Sequence, residues 1–450
     1  MSKKISVTIN KKIKKFSKSI FCEGDKGISH RALLLASQCR GTSKIKGILE
    51  AEDVLSTIKC LKQLGVKIIK KKKKYLVFGN GLNSFKKPSK KELYFGNAGT
   101  LARILLGLMA TNADIKVKIF GDKSLNKRDM GRIIEPLSKI GCTFKPNNKT
   151  TLPLTFQGTE MPLAQHHIEK IGSAQVKSSI LMASLDTPGI TTILEKKLSR
   201  NHTENLLKNI GADIKIKKHK KYNLISLRGQ QDLDSFNFEI PGDPSSSAFF
   251  IALTLLTKGS KLKIKNISLN PFRIGFIKIL KKMNGNIKIK NLRKKFSEPV
   301  GDIIVKSSNL KPIKFPEKEI TSTIDEFPIL FIIAAQINGI STFTNIAELR
   351  KKESDRIKNI EEGLNKIGIK TISTNNSLKI FGNTNIKLKK KLEIHTKSDH
   401  RIAMSFFCLA QLINGEVRIN GLETVDTSFP SFLKLMKNKI GAKFEIKKKH

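Results

Sequence analysis

Leu64-Gly65-Val66-Lys67-Ile68 reads as the end of a helix followed by a short extended run. A glycine just past a helix suits the left-handed backbone conformation, because it has no Cβ atom to clash there. The same pattern recurs with successive glycines 76, 70, 74, 83 and 73 residues apart. Six such junctions at nearly constant spacing predict an internally repeated α/β fold. The other five are Ile140-Gly141-Cys142-Thr143-Phe144, Ile210-Gly211-Ala212-Asp213-Ile214, Asn284-Gly285-Asn286-Ile287-Lys288-Ile289, Ile367-Gly368-Ile369-Lys370-Thr371 and Ile440-Gly441-Ala442-Lys443-Phe444.

A second series of segments runs in step with the junctions. These segments are rich in small and apolar residues on all sides, which predicts buried helices. Each repeat then also contains a more amphipathic helix, such as 54–64 or 357–367, and strands such as 115–120. The buried helices are predicted to start near Ser29, Gly99, Ser173, Ser245, Asp325 and Asp399. Residues suited to their N-termini are Asp25, Asn97, Ser173, Asp243, Asp325 and Asp399.

Length and composition indicate a large soluble protein. The 450 residues are 39% hydrophobic, enough for two or three domains. No apolar run approaches the ~18 residues of a membrane span, and the N-terminal residues lack an apolar signal segment. The five cysteines are scattered with no C-x-x-C pair, which is typical of buried thiols in a reducing compartment. We therefore expect a cytoplasmic protein without a membrane partner.

The basic residues point to an anionic ligand of small size. The formal net charge is +48, from 72 Lys and 13 Arg against 37 acidic residues. Lysine bias at the surface accounts for most of this charge, although a positive field would also attract anions. Nucleic-acid binding is disfavoured because the chain has no Trp, three Tyr and no recognition motif. Arginine holds phosphate and carboxylate through a planar fork, and eight of the 13 lie in or beside predicted helix starts: Arg31, Arg103, Arg128, Arg132, Arg200, Arg350, Arg356 and Arg401.

Several helix starts combine flexible backbone with cations. Gly24-Asp25-Lys26-Gly27-Ile28-Ser29-His30-Arg31 is the first of them. A helix N-terminus carries partial positive charge and unpaired N–H groups, so added cations make it an anion site. Each segment taken alone also fits a structural loop or a surface salt bridge. The others are Gly96-Asn97-Ala98-Gly99-Thr100, Gly172-Ser173-Ala174-Gln175-Val176-Lys177, Lys351-Lys352-Glu353-Ser354-Asp355-Arg356 and Asp399-His400-Arg401.

As a set, these segments resemble the enolpyruvyl transferases, most closely their shikimate-pathway branch. The resemblance extends from Glu23-Gly24-Asp25-Lys26 to Thr427-Ser428-Phe429-Pro430. Two further segments resemble the branch that reads G-D-x-S-L and P-G-D-P-S-S at these places. They are Gly121-Asp122-Lys123-Ser124-Leu125 and Pro241-Gly242-Asp243-Pro244-Ser245-Ser246.

The resemblance implies two inside-out α/β domains, each of three βαβαββ repeats, with the active site in the cleft between them. On this basis we expect a first domain at 14–235 and a second at 1–13 plus 236–450. The N-terminal strand near 5–9 would then belong with the C-terminal half, so that the chain crosses twice.

The resemblance also implies a reaction: the enolpyruvyl group of phosphoenolpyruvate moves to the 5-hydroxyl of shikimate 3-phosphate by addition and elimination, with release of phosphate. No metal or cofactor is implied, and the protein is expected to be a monomer. Asp325 would act as base and hold the ring hydroxyls, Glu353 would exchange the methylene proton, and Lys26 would sit between the substrates. Phosphoenolpyruvate would be bound by Lys26, Gly99, Arg128, Gln175, Arg356 and Arg401. Shikimate 3-phosphate would be bound by Lys26, Gly27, Arg31, Ser173, Ala174, Gln175, Arg200, Asp325 and Lys352.

Two positions affect substrate and inhibitor binding under this resemblance. The family usually has Ser directly after the loop lysine, where this chain has Gly27. Loss of that hydroxyl contact predicts weaker binding of shikimate 3-phosphate. Gly99 leaves room where some relatives carry a methyl group, so glyphosate is expected to compete with phosphoenolpyruvate.

Other interpretations stay open at this stage. Asp325 could cap its helix, and Glu353 could simply pair with Arg356 at i, i+3. A transferase acting on UDP-N-acetylglucosamine shares the fold but typically uses a loop cysteine, and residues 112–130 contain none. From another class, the charge would suit an RNA-binding or RNA-end-processing protein, for which His400 would have to act as nucleophile.

Overall fold

The computed structural model describes residues 4–388 and 390–449. The strands are β1 Lys4–Ile9, β2 Ser17–Phe21, β3 Arg40–Lys46, β4 Lys67–Lys71, β5 Lys74–Asn80, β6 Glu92–Tyr94, β7 Lys116–Phe120, β8 Thr143–Lys145, β9 Leu154–Gln157, β10 His166–Glu169, β11 Ile190–Glu195, β12 Ile214–Lys218, β13 Asn223–Arg228, β14 Asn237–Glu239, β15 Lys261–Ser268, β16 Asn286–Lys295, β17 Glu298–Lys306, β18 Gly339–Thr344, β19 Thr371–Ser373, β20 Ser377–Gly382, β21 Leu392–His395, β22 Val417–Asn420 and β23 Glu445–Lys449. The α-helices are α1 Lys26–Gln38, α2 Glu52–Gln63, α3 Gly99–Leu108, α4 Gly131–Ile140, α5 Ala174–Ser184, α6 His202–Asn209, α7 Pro244–Leu256, α8 Gly275–Lys282, α9 Ile320–Thr323, α10 Phe327–Ala335, α11 Arg356–Lys366, α12 His400–Ala410 and α13 Phe432–Leu435.

The chain divides into two compact units. Unit 1 contains the described residues of Met1–Glu23, Pro241–Arg293 and Pro299–His450, and unit 2 contains Gly24–Ile240 and Lys294–Glu298. The N-terminal strand β1 pairs antiparallel with β22 and β23, so the chain start belongs with the C-terminal half, as predicted. The chain thus passes between the units after residues 23 and 240, and the turn between β16 and β17 is grouped with unit 2.

Six small sheets share one topology, three in each unit. Their strand orders are β14-β3-β5-β4, β6-β7-β9-β8 and β10-β11-β13-β12 in unit 2, and β2-β15-β17-β16, β18-β20-β19 and β21-β22-β1-β23 in unit 1. In the sheet β6-β7-β9-β8, for example, β6 runs parallel to β7, and the remaining pairs are antiparallel. In the three-stranded sheet the parallel first strand is reduced to a bridge between Lys314 and Thr342. This recurrence is the repeated α/β fold that the glycine spacing predicts.

One buried helix accompanies each sheet. In unit 2, α3 packs against α1 and α5, and in unit 1, α7, α10 and α12 pack against one another. Most of their side chains are buried on every side, in two separate hydrophobic cores. A helix without a polar face is stable only in such an interior. Their N-termini therefore mark where buried elements begin, and several of the candidate site residues, such as Lys26, Gly99 and Arg401, lie at these starts.

Five of the six junction glycines adopt the left-handed conformation that the pattern predicts, with φ between 82° and 123°. The fourth junction differs, because Asn284 takes the positive φ of 70° in place of Gly285. Gly285 is needed there for space, since a Cβ atom would lie 2.7 Å from the Leu280 carbonyl oxygen.

Four of the six predicted N-caps are confirmed. The side chains of Asp25, Ser173, Asp243 and Asp399 accept backbone N–H bonds at the starts of α1, α5, α7 and α12. The predictions for Asn97 and Asp325 are wrong, because the capping positions are Ala98 and Glu326, neither with a side-chain capping bond.

Candidate active site

The predicted site residues fall into two groups, one in each unit. In unit 2, Lys26 is the first residue of α1, directly after its cap Asp25. Its Nζ lies 2.9 Å from Oδ2 of Asp53, a residue in the first turn of α2, and both side chains are largely buried. Asp53 fixes the direction of the lysine side chain. The sequence did not reveal this partner, which lies 27 residues along the chain.

Arg31 lies one turn further along α1 and is 3% exposed. Its Nε donates to Thr203 Oγ1 at 2.8 Å, and its Nη2 donates to Ser178 Oγ at 2.9 Å. Its Nη1 donates to the Gly27 carbonyl oxygen at 3.0 Å. These three acceptors fix the orientation of the guanidinium. Arg31 thus ties the loop lysine segment to helices α5 and α6.

A second cluster of unit 2 forms where α3 begins. A Cβ atom at Gly99 would lie 3.1 Å from Arg128 Nη1 and 3.2 Å from Arg103 Nη1, so the backbone and both guanidiniums are close. Arg103 Nη1 donates to Gln175 Oε1 at 2.7 Å, and Gln175 Nε2 donates to Thr100 Oγ1 at 3.0 Å. Gly99, Arg128 and Gln175 therefore lie close together in the structure, and Arg103 lies among them.

Asn97 explains why Arg128 is so placed. Arg128 Nη2 donates to Asn97 Oδ1 at 2.7 Å and to Ser124 Oγ at 3.2 Å. The Asn97 amide donates in turn to Asp122 Oδ2 at 2.7 Å. The other oxygen of Asp122 accepts the backbone N–H of Leu125 at 2.7 Å and fixes the turn that carries Arg128. Asn97 is thus occupied with this support, which is why it does not cap α3.

The start of α5 forms the third part of the unit 2 group. Ser173 caps this helix, and Ala174 and Gln175 are its first two residues. The preceding turn is held by one buried carboxylate, because Glu169 Oε1 accepts the backbone N–H groups of Ile171, Gly172 and Ser173. Burial alone would raise the pKa of Glu169, but bonds from His167 and from these N–H groups keep it below its ordinary value. Arg200 is half-buried, just before α6.

The unit 1 group centres on Arg356, the first residue of α11, which is 1% exposed. Its Nη2 donates to Glu353 Oε2 at 2.6 Å, and its Nε donates to Asp399 Oδ2 at 2.9 Å. The other oxygen of Asp399 accepts the N–H of Arg401 at 2.9 Å at the start of α12. Asp399 therefore joins two helix starts. The i, i+3 pair of Glu353 and Arg356 is real, and this pair also fixes the direction of the glutamate.

Arg356 also has a polar atom available to a ligand. Its Nη1 is buried and has no hydrogen-bond partner among residues 4–388 and 390–449. A buried donor without a partner costs about 1–3 kcal/mol. An anion placed against Nη1 would remove this cost.

Lys352 and Asp325 complete the unit 1 group. Lys352 is half-buried, directly before Glu353. Burial lowers the pKa of Lys352, and the charge of Asp325 opposes that change. Asp325 is half-buried in the turn between α9 and α10, and the next residue, Glu326, is 2% exposed. Burial and the neighbouring charge of Asp325 raise the pKa of Glu326 to about 7. The sequence analysis did not select Glu326.

The chemistry of the two groups is that of an anion-binding acid–base site. Unit 2 contributes cations and amide groups at three helix starts, and unit 1 contributes carboxyl groups beside buried cations. Such groups can hold phosphate and carboxylate substituents and move protons near neutral pH. Within the described part of the chain, no three His, Cys, Asp or Glu side chains gather in a way that could hold a metal ion. No helix among the same residues is long and apolar enough to cross a membrane.

Comparison with known proteins identifies relatives with this arrangement of elements. Residues 10–436 match the family described as EPSP synthase (3-phosphoshikimate 1-carboxyvinyltransferase). A protein from Zymomonas mobilis with the name 3-phosphoshikimate 1-carboxyvinyltransferase is 40% identical over 442 residues, which cover 97% of each chain. A protein of the same name from Parvibaculum lavamentivorans is 39% identical over 95% of this chain and 94% of its own.

Solved structures agree with these relatives. The EPSP synthase of Acinetobacter baumannii is 36% identical, with a TM-score of 0.86 over 98% of this chain and 100% of that chain. The enolpyruvyl transferase NikO of Streptomyces tendae is 12% identical with a TM-score of 0.79 over the full length of both chains, a likeness of fold alone.

Proposed function

This chain belongs to the EPSP synthase family and transfers the carboxyvinyl group of phosphoenolpyruvate to shikimate 3-phosphate, and we propose that its two groups of charged residues divide the steps of that reaction. The observation that supports this division is the placement of Glu353, whose carboxylate is held by the buried guanidinium of Arg356 in unit 1. In unit 2, Lys26 and Arg31 lie at the start of α1 and Arg128 lies against the start of α3, where backbone N–H groups also attract anions. The alternative acceptor, UDP-N-acetylglucosamine, is not favoured by the names of the relatives.

The unit 2 group holds the anionic substituents of the substrates. Arg128, Gln175 and the backbone at Gly99 bind phosphoenolpyruvate, together with Arg356 and Arg401 of unit 1. Arg103 supports them, because it shares Gln175 and faces Gly99. The start of α5, with Ser173 and Ala174, binds shikimate 3-phosphate, as do Gly27, Arg31, Arg200 and Lys352. Guanidinium forks and backbone N–H groups suit phosphate and carboxylate ligands.

The unit 1 carboxyl groups move the protons. In the addition step Asp325 takes the proton of the 5-hydroxyl, whose oxygen bonds to the substituted carbon of phosphoenolpyruvate, while Glu353 protonates the methylene carbon. In the elimination step Glu353 removes a proton from the methyl group formed by the addition, the carbon–carbon double bond forms again, and phosphate leaves. Arg356 keeps Glu353 in position through the 2.6 Å bond between them. Positioned acid and base groups supply roughly 10²–10⁴-fold in rate.

Lys26 assists the departure of phosphate. Lys26 is the first residue of α1, and its ammonium group is held there by the carboxylate of Asp53. A cation placed there stabilises the charge that develops on the leaving oxygen.

The reaction is tested by measuring phosphate release from phosphoenolpyruvate with one acceptor at a time. We expect release with shikimate 3-phosphate and none above background with UDP-N-acetylglucosamine. Release with only the latter acceptor would contradict the assignment. RNA retention that falls steeply with added salt would mark the +48 charge as a nonspecific attraction.

Two properties of the whole protein are part of the proposal. The five cysteines are free thiols, four of them buried, which agrees with a reducing, cytoplasmic environment. The monomeric state is tested by light scattering at several protein concentrations, where a mass near 50.3 kDa at all of them is expected.

A further inference from the structure

Glu326 is a buried carboxyl group that the reaction above leaves without a role. It follows Asp325 directly, starts helix α10 and is 2% exposed. An acidic side chain with so little exposure is rare unless other groups hold it. Its position beside the proposed base makes those holding groups informative.

A connected set of buried side chains holds Glu326. The hydroxyl group of Ser245, on the first turn of α7, donates a hydrogen bond to Glu326 Oε1. Arg273 Nη2 donates to Ser245 Oγ at 2.8 Å and to Asp243 Oδ1 at 3.0 Å. Asp243 Oδ1 also accepts the N–H of Ser245 at 2.7 Å, as the cap of α7. The relative solvent exposure of these three partner residues is between 2% and 6%.

This set gives a role to the segment Pro241-Gly242-Asp243-Pro244-Ser245-Ser246, which the sequence analysis singled out and the reaction did not use. Pro244 occupies the first turn of α7, where its missing N–H costs nothing. The cap and the proline fix the start of this helix, and therefore fix the direction of the Ser245 hydroxyl group. The segment contacts Glu326 through the Ser245 hydroxyl group, and Glu326 lies in the same turn as Asp325.

The charges around Glu326 oppose one another. Burial and the charge of Asp325 raise the pKa of Glu326, while Arg401 on α12, Arg273 before α8 and the bond from Ser245 lower it, with about 7 as the result. Asp243 is a further carboxyl group of the same set, in contact with Arg273. Glu326 therefore changes its charge near neutral pH, and adjacent carboxyl groups titrate as a pair.

We propose that Glu326 is a positioning residue for Asp325, fixed by Ser245 and Arg273, and that the charge on Glu326 determines how readily Asp325 takes the hydroxyl proton of the acceptor substrate. The inference rests on the proposed role of Asp325 as base. A negative neighbour makes a carboxylate hold a proton more strongly, so loss of that neighbour weakens the base. An amide at position 326 would keep the size and the acceptor for Ser245 while removing the charge.

The test is the dependence of kcat and of KM on pH in Glu326→Gln. We expect the rise in kcat that follows ionisation of Glu326 near pH 7 to be lost, so that kcat above this pH is about threefold to tenfold lower than in the wild type. KM for both substrates should stay within about twofold, because no proposed binding residue is changed. A profile that superimposes on that of the wild type would overturn the inference.

Ser245→Ala provides a second route if the first variant folds poorly. Removing the donor raises the pKa of Glu326 further, so the rise in kcat near neutral pH should move to higher pH in this variant. The matched control is Ser247→Ala on the same helix, because the Ser247 hydroxyl bonds only to the Pro244 carbonyl oxygen among the contacts described. An equal shift in Ser247→Ala would also overturn the inference.

Infrared difference spectra give a readout that does not depend on turnover. A protonated carboxyl band that titrates near neutral pH should be present in the wild type and missing in Glu326→Gln, and a titration identical in both proteins contradicts the proposal. Asp325→Asn separates the two hypotheses. Near wild-type kcat in that variant refutes the role of Asp325 as base, and an inactive Asp325→Asn with an unshifted Glu326→Gln profile refutes only the role of Glu326.

Discussion

The two units differ in the contacts that orient the arginines of their charged groups. In unit 2, Arg31 and Arg128 donate to hydroxyl, amide and carbonyl oxygens. In unit 1, Arg356 lies between the carboxylates of Glu353 and Asp399. A neutral acceptor orients a guanidinium without offsetting its positive charge, which can then attract an anion. A carboxylate partner offsets part of that charge, and the carboxylate is itself held in place. We therefore expect changes in the arginine cluster of unit 2 to act mainly on binding, and a change of Glu353 in unit 1 to act mainly on proton transfer.

The largest expected effect tests the unit 1 side of this comparison. Glu353→Gln keeps an oxygen acceptor for Arg356 but cannot exchange a proton, so kcat should fall by roughly 10²–10⁴-fold. KM for both substrates should change little, as measured by steady-state phosphate release. Glu362→Gln on α11, the helix that follows Glu353, is the control, because that side chain is 49% exposed and makes a weak pair with Lys358. A rise in KM with kcat unchanged would break the comparison.

The next effect tests the unit 2 side. Arg128→Lys keeps the positive charge but loses the planar fork that Asn97 and Ser124 orient. KM for phosphoenolpyruvate should rise roughly tenfold to hundredfold, equivalent to about 1.5–3 kcal/mol. The same change at Arg40, whose side chain is 70% exposed in a pair with Asp232, should leave the kinetics unaltered. If Arg128→Lys lowered kcat alone, binding could not be the main task of the unit 2 cluster.

How much of this arrangement the sequence reveals depends on how far apart along the chain the interacting residues lie. Glycine in a left-handed junction is a local requirement, so the junction pattern predicts the repeated fold from short segments. Partners distant in sequence leave no such pattern. Asp53 lies 27 residues from Lys26, and Asp399 lies 43 residues from Arg356. Asn97 was predicted to cap a helix because local propensity could not show its bond to Arg128.

Part of the missing information was nevertheless present in the motifs. Asp399 was correctly predicted as a helix cap, and its second oxygen holds Arg356. One carboxylate thus serves two segments that the sequence analysis had selected separately. An aspartate predicted to cap one helix is a candidate partner for an arginine predicted at another helix start in the same half of the chain. That combination would have indicated the contact between Asp399 and Arg356.

A smaller effect is expected for a substitution that tests how closely the unit 2 cations pack against Gly99. Gly99→Ala places a methyl group 3.1 Å from Arg128 Nη1 and 3.2 Å from Arg103 Nη1, so both guanidiniums must move by a few tenths of an ångström. KM for phosphoenolpyruvate should rise about fivefold, for a packing cost of about 1 kcal/mol. The inhibition constant for glyphosate should rise with it, while KM for shikimate 3-phosphate serves as the internal control. An inhibition constant that is already high and does not change on substitution would contradict the expected competition.

The smallest effect sharpens the comparison by improving a binding contact instead of removing one. Gly27 lies in the first turn of α1 beside Lys26, and its carbonyl oxygen accepts from Arg31. Gly27→Ser adds a hydroxyl group at this anion-binding helix start, and serine also forms helices more readily than glycine. One added hydrogen bond of about 1 kcal/mol should lower KM for shikimate 3-phosphate about fivefold, with kcat nearly constant. The control is Ser84→Gly, because the Ser84 hydroxyl group bonds only to the Gly81 carbonyl oxygen among the contacts described. Ser43 is less suitable as a control because it is buried. If kcat changes while KM for shikimate 3-phosphate stays constant, position 27 does not contribute to binding of that substrate, and the proposed binding role of Gly27 is refuted.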